Sequence, residues 1–501
     1  MFIPFFKKYR RQFQRALEIL PGALAWTIIL FPLWGTFFVP KIVAYFVLAF
    51  DVYWLYRSFS TGVLGTVGFL KIKELAKVNW MDKYSEESGD LKKWGKPLHA
   101  VVIVCYKEPA YMIRRCVESL DKQSIDKSQL AVVIAMEARA TDAKERAEEV
   151  LKDYAGRFGD IFATYHPADL VGEVVGKAAN EFWATRIVKE KFVDSGRFSL
   201  SDLTITSCDV DSVFDKNYFA ALNYKFLTNE SRFLRIWQSP IFQFNNLWRV
   251  PGFVRIISIV GNMNQLATLQ DTAGLVFNYS TYSLSLRLLD EVGYWDRDVI
   301  PEDWHLFLKS FFAKKGLVEV EPIFLPTYQD AAESTTYVRT MVNRYEQCKR
   351  TAWGAVDIPY AIINFFKHKE IPLRIRIPRV YKLVESHIIW STGAFILAFG
   401  ASIPPLLNPV FAQTVLGQTL PKLSSFILTL CLTNLLVIIF LNHRLQPKNP
   451  EDTSKVKQLL RLLEWPFLPI ASFLVSSVPG LDAQTRLMLG KYMEYRVTEK
   501  V

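Results

Sequence analysis

Leu203-Thr-Ile-Thr-Ser-Cys-Asp-Val-Asp-Ser212 alternates as a half-buried β-strand does and ends on two carboxylates, Asp209 and Asp211. Successive strand side chains point to opposite faces, so an i, i+2 pair shares a face, and the carboxyl end of a strand is where an α/β sheet opens a ligand crevice. Two hard oxygen donors on one side suit Mg²⁺ or Mn²⁺ when phosphate oxygens and water complete the shell. A second Asp-x-Asp, Asp296-Arg-Asp298, follows no strand pattern and reads as a turn leading into the next motif.

Upstream of this stretch, strand and helix patterns alternate. His99-Ala-Val-Val-Ile-Val-Cys-Tyr106 is the continuous apolar run of a parallel strand covered on both faces. Pro109 opens a helix to Leu120, its missing N–H costing nothing in the first turn. Leu130–Met136 and Asp160–Tyr165 read as strands. Thr141–Phe158, capped by Thr141 or Asp142, and Glu173–Lys191 read as helices. The βαβαβαβ order predicts an open α/β sheet with its site outside the carboxyl ends of the strands. Tyr106-Lys-Glu108, Glu137 and Asp209-Val-Asp211 stand at those ends and are expected to converge.

Outside this region the chain turns apolar. Residues 19–40 carry no charge, and Lys41–Lys71 is broken only by Asp51 and Arg57. Ser386–Pro421, Leu423–Asn442 and Trp465–Leu481 are also uncharged. Spans of about 20 apolar residues match a bilayer core. Two transmembrane helices are expected before the α/β region and two after it, with the Pro-containing Trp465–Leu481 re-entrant or interfacial. Basic clusters at Lys7-Lys-Tyr-Arg-Arg11, between Lys71 and Lys382, and at Arg444, Lys448, Lys455, Lys457 and Arg461 place the central domain in the cytoplasm. The basic tail Arg486–Lys500 argues against a full crossing by the last segment. A net charge of +11 in this setting points to anionic lipid, and no nucleic-acid motif accompanies it. The cysteines Cys105, Cys116, Cys208, Cys348 and Cys431 lack paired or metal-type spacing and read as free thiols.

Tyr106-Lys-Glu-Pro109, Glu137, Gly176-Lys-Ala-Ala-Asn180, Asp209-Val-Asp211, Glu302-Asp303 and Gln347-Cys-Lys-Arg350 come in an order that resembles membrane-integrated family 2 glycosyltransferases of the cellulose and hyaluronan synthase type. The resemblance implies a GT-A nucleotide-diphospho-sugar transferase domain over residues 99–355. That domain would be preceded by an N-terminal membrane part (1–70) and a linker (71–98), and followed by amphipathic interface segments (356–385) and C-terminal membrane helices (386–501). It implies that Tyr106 and Glu108 contact the nucleotide and that Lys177 and Asn180, one helix turn apart, contact phosphate or sugar. Asp211 would hold Mg²⁺ or Mn²⁺, with Asp209 on ribose or metal-bound water. Asp303, beside Glu302, would be the general base of an inverting transfer; carboxylates there also suit a plain helix N-terminus. Gln347, Arg350 and Trp353 would meet donor phosphates and acceptor at the membrane interface. Glu137 stands where the family carries Asp, which leaves the base open, although a UDP-sugar is the first expectation. Thr351 replaces the family's Trp, which leaves processive polymer synthesis open. The expected partners are a nucleotide-diphosphate sugar and a hydroxyl acceptor glycan or lipid at the plasma membrane. Transfer to polyprenyl phosphate and non-catalytic nucleotide-sugar binding are the alternatives. Asp169, Glu173, His166 and His305 read as loop, cap or surface residues.

Overall fold

The computed structural model describes residues 10–87, 96–271, 273–449, 454 and 461–494. The start of the Lys7–Arg11 cluster, Lys455, Lys457 and the end of the basic tail lie outside them. Ten strands form two sheets: β1 (Leu98–Cys105), β2 (Leu130–Glu137), β3 (Asp160–His166), β4 (Leu203–Asp209), β5 (Val213–Phe214), β6 (Arg235–Gln238), β7 (Ile241–Phe242), β8 (Tyr282–Ser285), β9 (Glu319–Pro322) and β10 (Thr327–Tyr328). The main sheet runs β3-β2-β1-β4-β8-β6-β9, and the small one β5-β10-β7. β1 to β4 are mutually parallel and β8 is antiparallel to both its neighbours.

The chain leaves β1 to build β2 and β3 on one side, then returns to lay β4 on the other. Parallel strands diverging this way leave a crevice between their carboxyl ends. Register pairs Val104 with Asp209 and Glu137 with His166, so the polar strand ends lie along one edge. β2 is buried along its whole length, as a strand covered on both faces must be. Val101, Ile103, Val132 and Ile134 face the helices Ala110–Asp121, Ala143–Asp153 and Tyr218–Thr228. Ala100, Val102, Ala131 and Val133 face the other way, toward Lys177–Lys189, Gly252–Thr268 and Glu302–Ala313.

That second layer continues into the apolar helices. Among the described residues five helices are long and apolar enough to cross a membrane: Arg11–Phe38, Pro40–Leu75, Leu373–Gly400, Val415–Leu445 and Trp465–Met488. Pro40–Leu75 has 36 residues. At 1.5 Å per residue it spans about 54 Å against a hydrocarbon core of about 30 Å, so its last turns reach into the α/β domain. Phe69 and Ile72 there, with Ile438, Leu441 and Leu383 from the other long helices, join the core under the sheet. The interface segment expected up to residue 385 is not separate, because Leu373–Phe395 is one helix. The last segment, Trp465–Met488, is long and apolar enough to cross by length and composition. Pro466 and Pro469 sit in the first turns of its opening helical pieces, where the absent N–H breaks no bond, and Pro479 follows closely on the π-helical turn Phe473–Ser477.

The expected turn at Asp296 also anchors a buried lock. His305 receives Asp357 Oδ1 at 2.6 Å on Nδ1 and Asp296 Oδ2 at 3.0 Å on Nε2, tying Glu302–Ala313 to the helix Asp357–Lys367. Burial would lower the His305 pKa, but the two carboxylates raise it from 6.5 to about 10. Burial would raise that of Asp296, which His305 and Lys309 hold down at about 2. A folded-state pKa above the unfolded value means that the lock stabilises fully below pH 6.5 and fades as pH rises toward 10. Replacing His305 by Leu is expected to cost about 3–5 kcal/mol, as for a broken buried pair. Thermal melts should show the deficit against wild type shrinking between pH 6 and pH 10.

Candidate functional site

The crevice is organised around Lys177. It opens the helix Lys177–Lys189, is 8 % exposed, and its ammonium meets groups from three other segments. Nζ lies 2.9 Å from Asp209 Oδ1 at the end of β4 and 3.2 Å from Glu302 Oε1. It donates to the Ser280 carbonyl at 2.6 Å and lies 3.8 Å from Glu181 Oε1, one turn along its own helix. Burial would lower its pKa, yet Asp209, Glu181 and Glu302 hold it well above the ordinary lysine value. Asp303 adds a fourth carboxylate to the same field. One cation therefore faces four acids.

The surplus negative charge shows in the acids. Burial first, and then the charge of Glu302, push Asp303 up to about 7 against the pull of Lys177. Its carboxylate is held by two backbone donors, Ser280 N–H on Oδ2 at 3.0 Å and Trp304 N–H on Oδ1 at 2.8 Å. Glu181 is fully buried, accepts from the Ser207 hydroxyl, and is raised to about 8, chiefly by burial.

Ser280 connects these groups. Its backbone is left-handed at φ 59°, a conformation uncommon for a residue with a Cβ and concentrated at functional sites. In that pose its N–H reaches Asp303, its carbonyl reaches Lys177, and its hydroxyl donates to Asp209 Oδ2 at 2.6 Å. Gln329, just after β10, places Nε2 2.8 Å from the Ser280 hydroxyl and 3.0 Å from that of Ser212. No motif marks Ser280, Gln329 or Glu181. The nearest signal was a Glu one helical turn after Lys177, on the same face.

Thus Lys177, Asp209, Glu302 and Asp303 come together as expected, and other predicted residues do not join them. β4 ends at Asp209, so the shared-face expectation fails for Asp211, which lies in the turn beyond. It is 2 % exposed and its Oδ2 accepts the Asp330 N–H at 3.0 Å. Asn180 is fully buried and donates to the Ala135 carbonyl at 2.7 Å, fastening its helix to β2. Glu108 accepts its own loop's Tyr106 N–H at 2.7 Å. Trp353 is 4 % exposed and belongs to the core, and Gln347 accepts from Arg344 at 2.8 Å. Gln347 and Arg350 lie on the helix Tyr337–Ala352, which packs on Val478–Met488.

At the ends of β1 and β2 the unexpected residue is Arg139. Its guanidinium lies 3.6 Å from the Tyr106 ring centroid and pairs with buried Glu137. Burial raises the Glu137 carboxyl against the pull of Arg139. One face of the aromatic ring expected to meet a base is thus already stacked. His166 and Glu173 pair at 2.9 Å, and Glu173 also holds Arg297 at 2.6 Å, in keeping with structural roles.

Among the described residues no group of three or more His, Cys, Asp or Glu side chains is arranged to hold a metal ion. A divalent ion here would draw only one or two carboxylates from the protein, a donor set that suits Mg²⁺ or Mn²⁺ bound mainly through phosphates and water.

No protein-family model matches the chain, and no curated protein matches it. Among solved structures, a mannosyltransferase from Pyrobaculum calidifontis, in complex with GDP-Man and Mn²⁺, aligns at 13% identity and TM-score 0.44, over 78% of this chain and 99% of that one. TarS 1–349 of S. aureus, with UDP-GlcNAc, aligns at 12% identity and TM-score 0.35, over 80% and 93%. At that degree of overlap the functional reading rests on this chain's own residues.

Replacing Lys177 by Met should leave the acids without their cation and lower stability by about 3–5 kcal/mol. The loss should ease as pH falls and the carboxylates take up protons, and the added change Glu181→Gln should recover part of it at neutral pH. Melting temperatures of the two variants between pH 5 and pH 8 check both statements.

Proposed function

We propose that this protein is a membrane-anchored glycosyltransferase of the GT-A type that moves a sugar from a nucleotide diphosphate to a hydroxyl acceptor with inversion. The observation that carries the reading is Asp303. A carboxylate raised to about 7 and aimed by two backbone N–H groups stands beside Lys177 at the switch point of an open α/β sheet. A general base works best when its pKa lies near the working pH and its position is preset. The acceptor oxygen attacks the anomeric carbon as the bond from that carbon to the diphosphate oxygen breaks. The hydroxyl proton passes to Asp303 and the nucleoside diphosphate departs.

Lys177 serves the other end of the reaction. Its buried ammonium supplies fixed positive charge near the departing phosphates without reorganisation. Asp209 and Asp211 are the residues that would hold Mg²⁺ or Mn²⁺, and a bound ion would neutralise charge on the leaving diphosphate. Asp209 is the better placed of the two because it borders the crevice, whereas Asp211 is turned inward. Tyr106, Arg139 and Glu137 form the nucleoside end of the same reading, with Gln347 and Arg350 on the membrane side. The five long apolar helices, continuous with the domain core, agree with a multi-pass enzyme, and the basic segments between and beside them are what supports a catalytic domain on the cytoplasmic side.

Purified protein incubated with a panel of nucleotide sugars should release nucleoside diphosphate from at least one. Asp303→Asn is expected to cut transfer by about 10²–10⁴-fold with nucleotide binding retained, and full turnover in that variant would remove Asp303 from the role. Because the base must be ionised, wild-type kcat should rise with pH through about 7. Donor titration with and without Mn²⁺ should show tighter binding with the ion in wild type and no such gain in Asp209→Asn.

A further inference from the structure

Arg379, on the helix Leu373–Phe395, carries a charge and is 4 % exposed. Its Nη1 donates to the Val276 carbonyl at 3.0 Å and its Nη2 to the Gly274 carbonyl at 2.5 Å. The guanidinium also lies against three rings, 4.7 Å from the Phe307 centroid, 5.4 Å from that of Phe277 and 5.5 Å from that of Phe311. Phe307 and Phe311 belong to the helix Glu302–Ala313, which Asp303 helps to open. One side chain thus grips both the loop that leads to Ser280 and the helix that carries the base.

The loop passes that grip on, residue by residue. Phe277, next to Val276, stacks on Trp304 with centroids 4.5 Å apart. Asn278 donates to the Asp303 carbonyl at 3.1 Å, and the Ser280 N–H ends on the Asp303 carboxylate. Trp304 also makes an edge contact of 5.5 Å with His387, on the same helix as Arg379. A buried guanidinium is a costly filler, for its charge is met here by two carbonyls and ring faces, and its Nε has no hydrogen-bond partner. A methionine would fill the space without drying a charge. What the planar fork alone supplies is a fixed spacing between two loop carbonyls and the rings beside them.

We propose that Arg379 is a positioning residue for the base: it locks residues 274–280 onto the helix Glu302–Ala313 and so keeps the Ser280 N–H on Asp303. The effect on rate rests on the glycosyltransferase reading, while the lock itself is measurable without turnover. A hydrogen bond to the ionised form favours that form, so the Ser280 N–H draws the Asp303 carboxyl down against burial and Glu302. With the loop loosened, Asp303 keeps its proton to higher pH. The titrating groups about it are Glu302 on its own helix, Lys177 and Glu181 on Lys177–Lys189, Asp209 at the end of β4 and Tyr282 on β8, and a change at Arg379 leaves that set intact.

The test uses the full chain in lipid nanodiscs and the nucleotide sugar that the panel identifies. In Arg379→Met, amide exchange over residues 274–281 should quicken about tenfold or more while β1 to β4 keep their protection. The midpoint of the rise of kcat with pH should move up from about 7 by roughly half a pH unit or more, so that the deficit is largest in acid and fades in alkali. Arg379→Lys keeps the charge without the fork and should show a smaller change of the same sign in both measurements. Unchanged exchange over residues 274–281, or a loss of kcat equal at every pH, overturns the proposal. So does full recovery in Arg379→Lys, which would make charge alone the cause. If Arg379→Met loses the protection of β1 to β4, the milder Arg379→Lys carries both readings. Absence of donor turnover by wild type sinks the glycosyltransferase reading itself, whereas turnover with an unmoved midpoint in a folded variant sinks only this one.

Discussion

The buried ammonium of Lys177 is the interaction on which the site depends. It draws together the helix after β3, the end of β4, the loop before β8 and the start of the helix Glu302–Ala313. Charges that are removed from water are costly unless paired with good geometry, and unlike charges at such separations attract strongly where the local dielectric is low. Lys177 has enough partners to hold its proton, but it cannot satisfy four acids at once. The remaining imbalance falls on Asp303 and Glu181, whose carboxyls are raised toward neutrality. A carboxyl raised toward neutrality thus follows from an ion cluster that sets one cation against four acids.

Ser280 shows how the backbone is bent to serve that cluster. A left-handed serine is strained relative to glycine, but only this conformation presents its N–H, carbonyl and hydroxyl to Asp303, Lys177 and Asp209 together. The surrounding β8 hydrogen bonds and Gln329 hold the strained residue in place. Beneath it, the core is shared with the long apolar helices, so the helix that Asp303 helps to open and those helices belong to one packed body. Trp304 and His387 are the visible end of that continuity.

Legibility from the sequence followed the range of the interaction. β1 to β4 were readable because two-sided burial demands uninterrupted apolar runs, and their observed limits differ by a residue or so from the expected ones, apart from the shorter β4. Asp303 and Lys177 were readable by their place in an ordered set of motifs. The expectation that Asp211 shares a face with Asp209 failed because strand periodicity was carried past the last paired residue. Asn180 and Trp353 have the right chemistry in the right segment, yet packing consumes the first on Ala135 and the second in the core. Arg139 was passed over because nothing local shows that an arginine two residues after Glu137 will fold back on a ring some thirty positions earlier.

By itself the sequence determined the βαβ order, the long apolar segments and the identity of the principal acids, because periodicity and hydrophobic length are local properties of the chain. Tertiary structure alone decided which acids share one lysine, that Ser280 and Gln329 bridge them, and that Asp303 rises to about 7. Those outcomes depend on burial and on separations of a few ångströms between residues far apart in the chain, which no local pattern encodes. The pair at Asp209 and Asp211 marks the division, since its composition led only to the expectation of a phosphate site while the end of β4 determined which of the two borders the crevice.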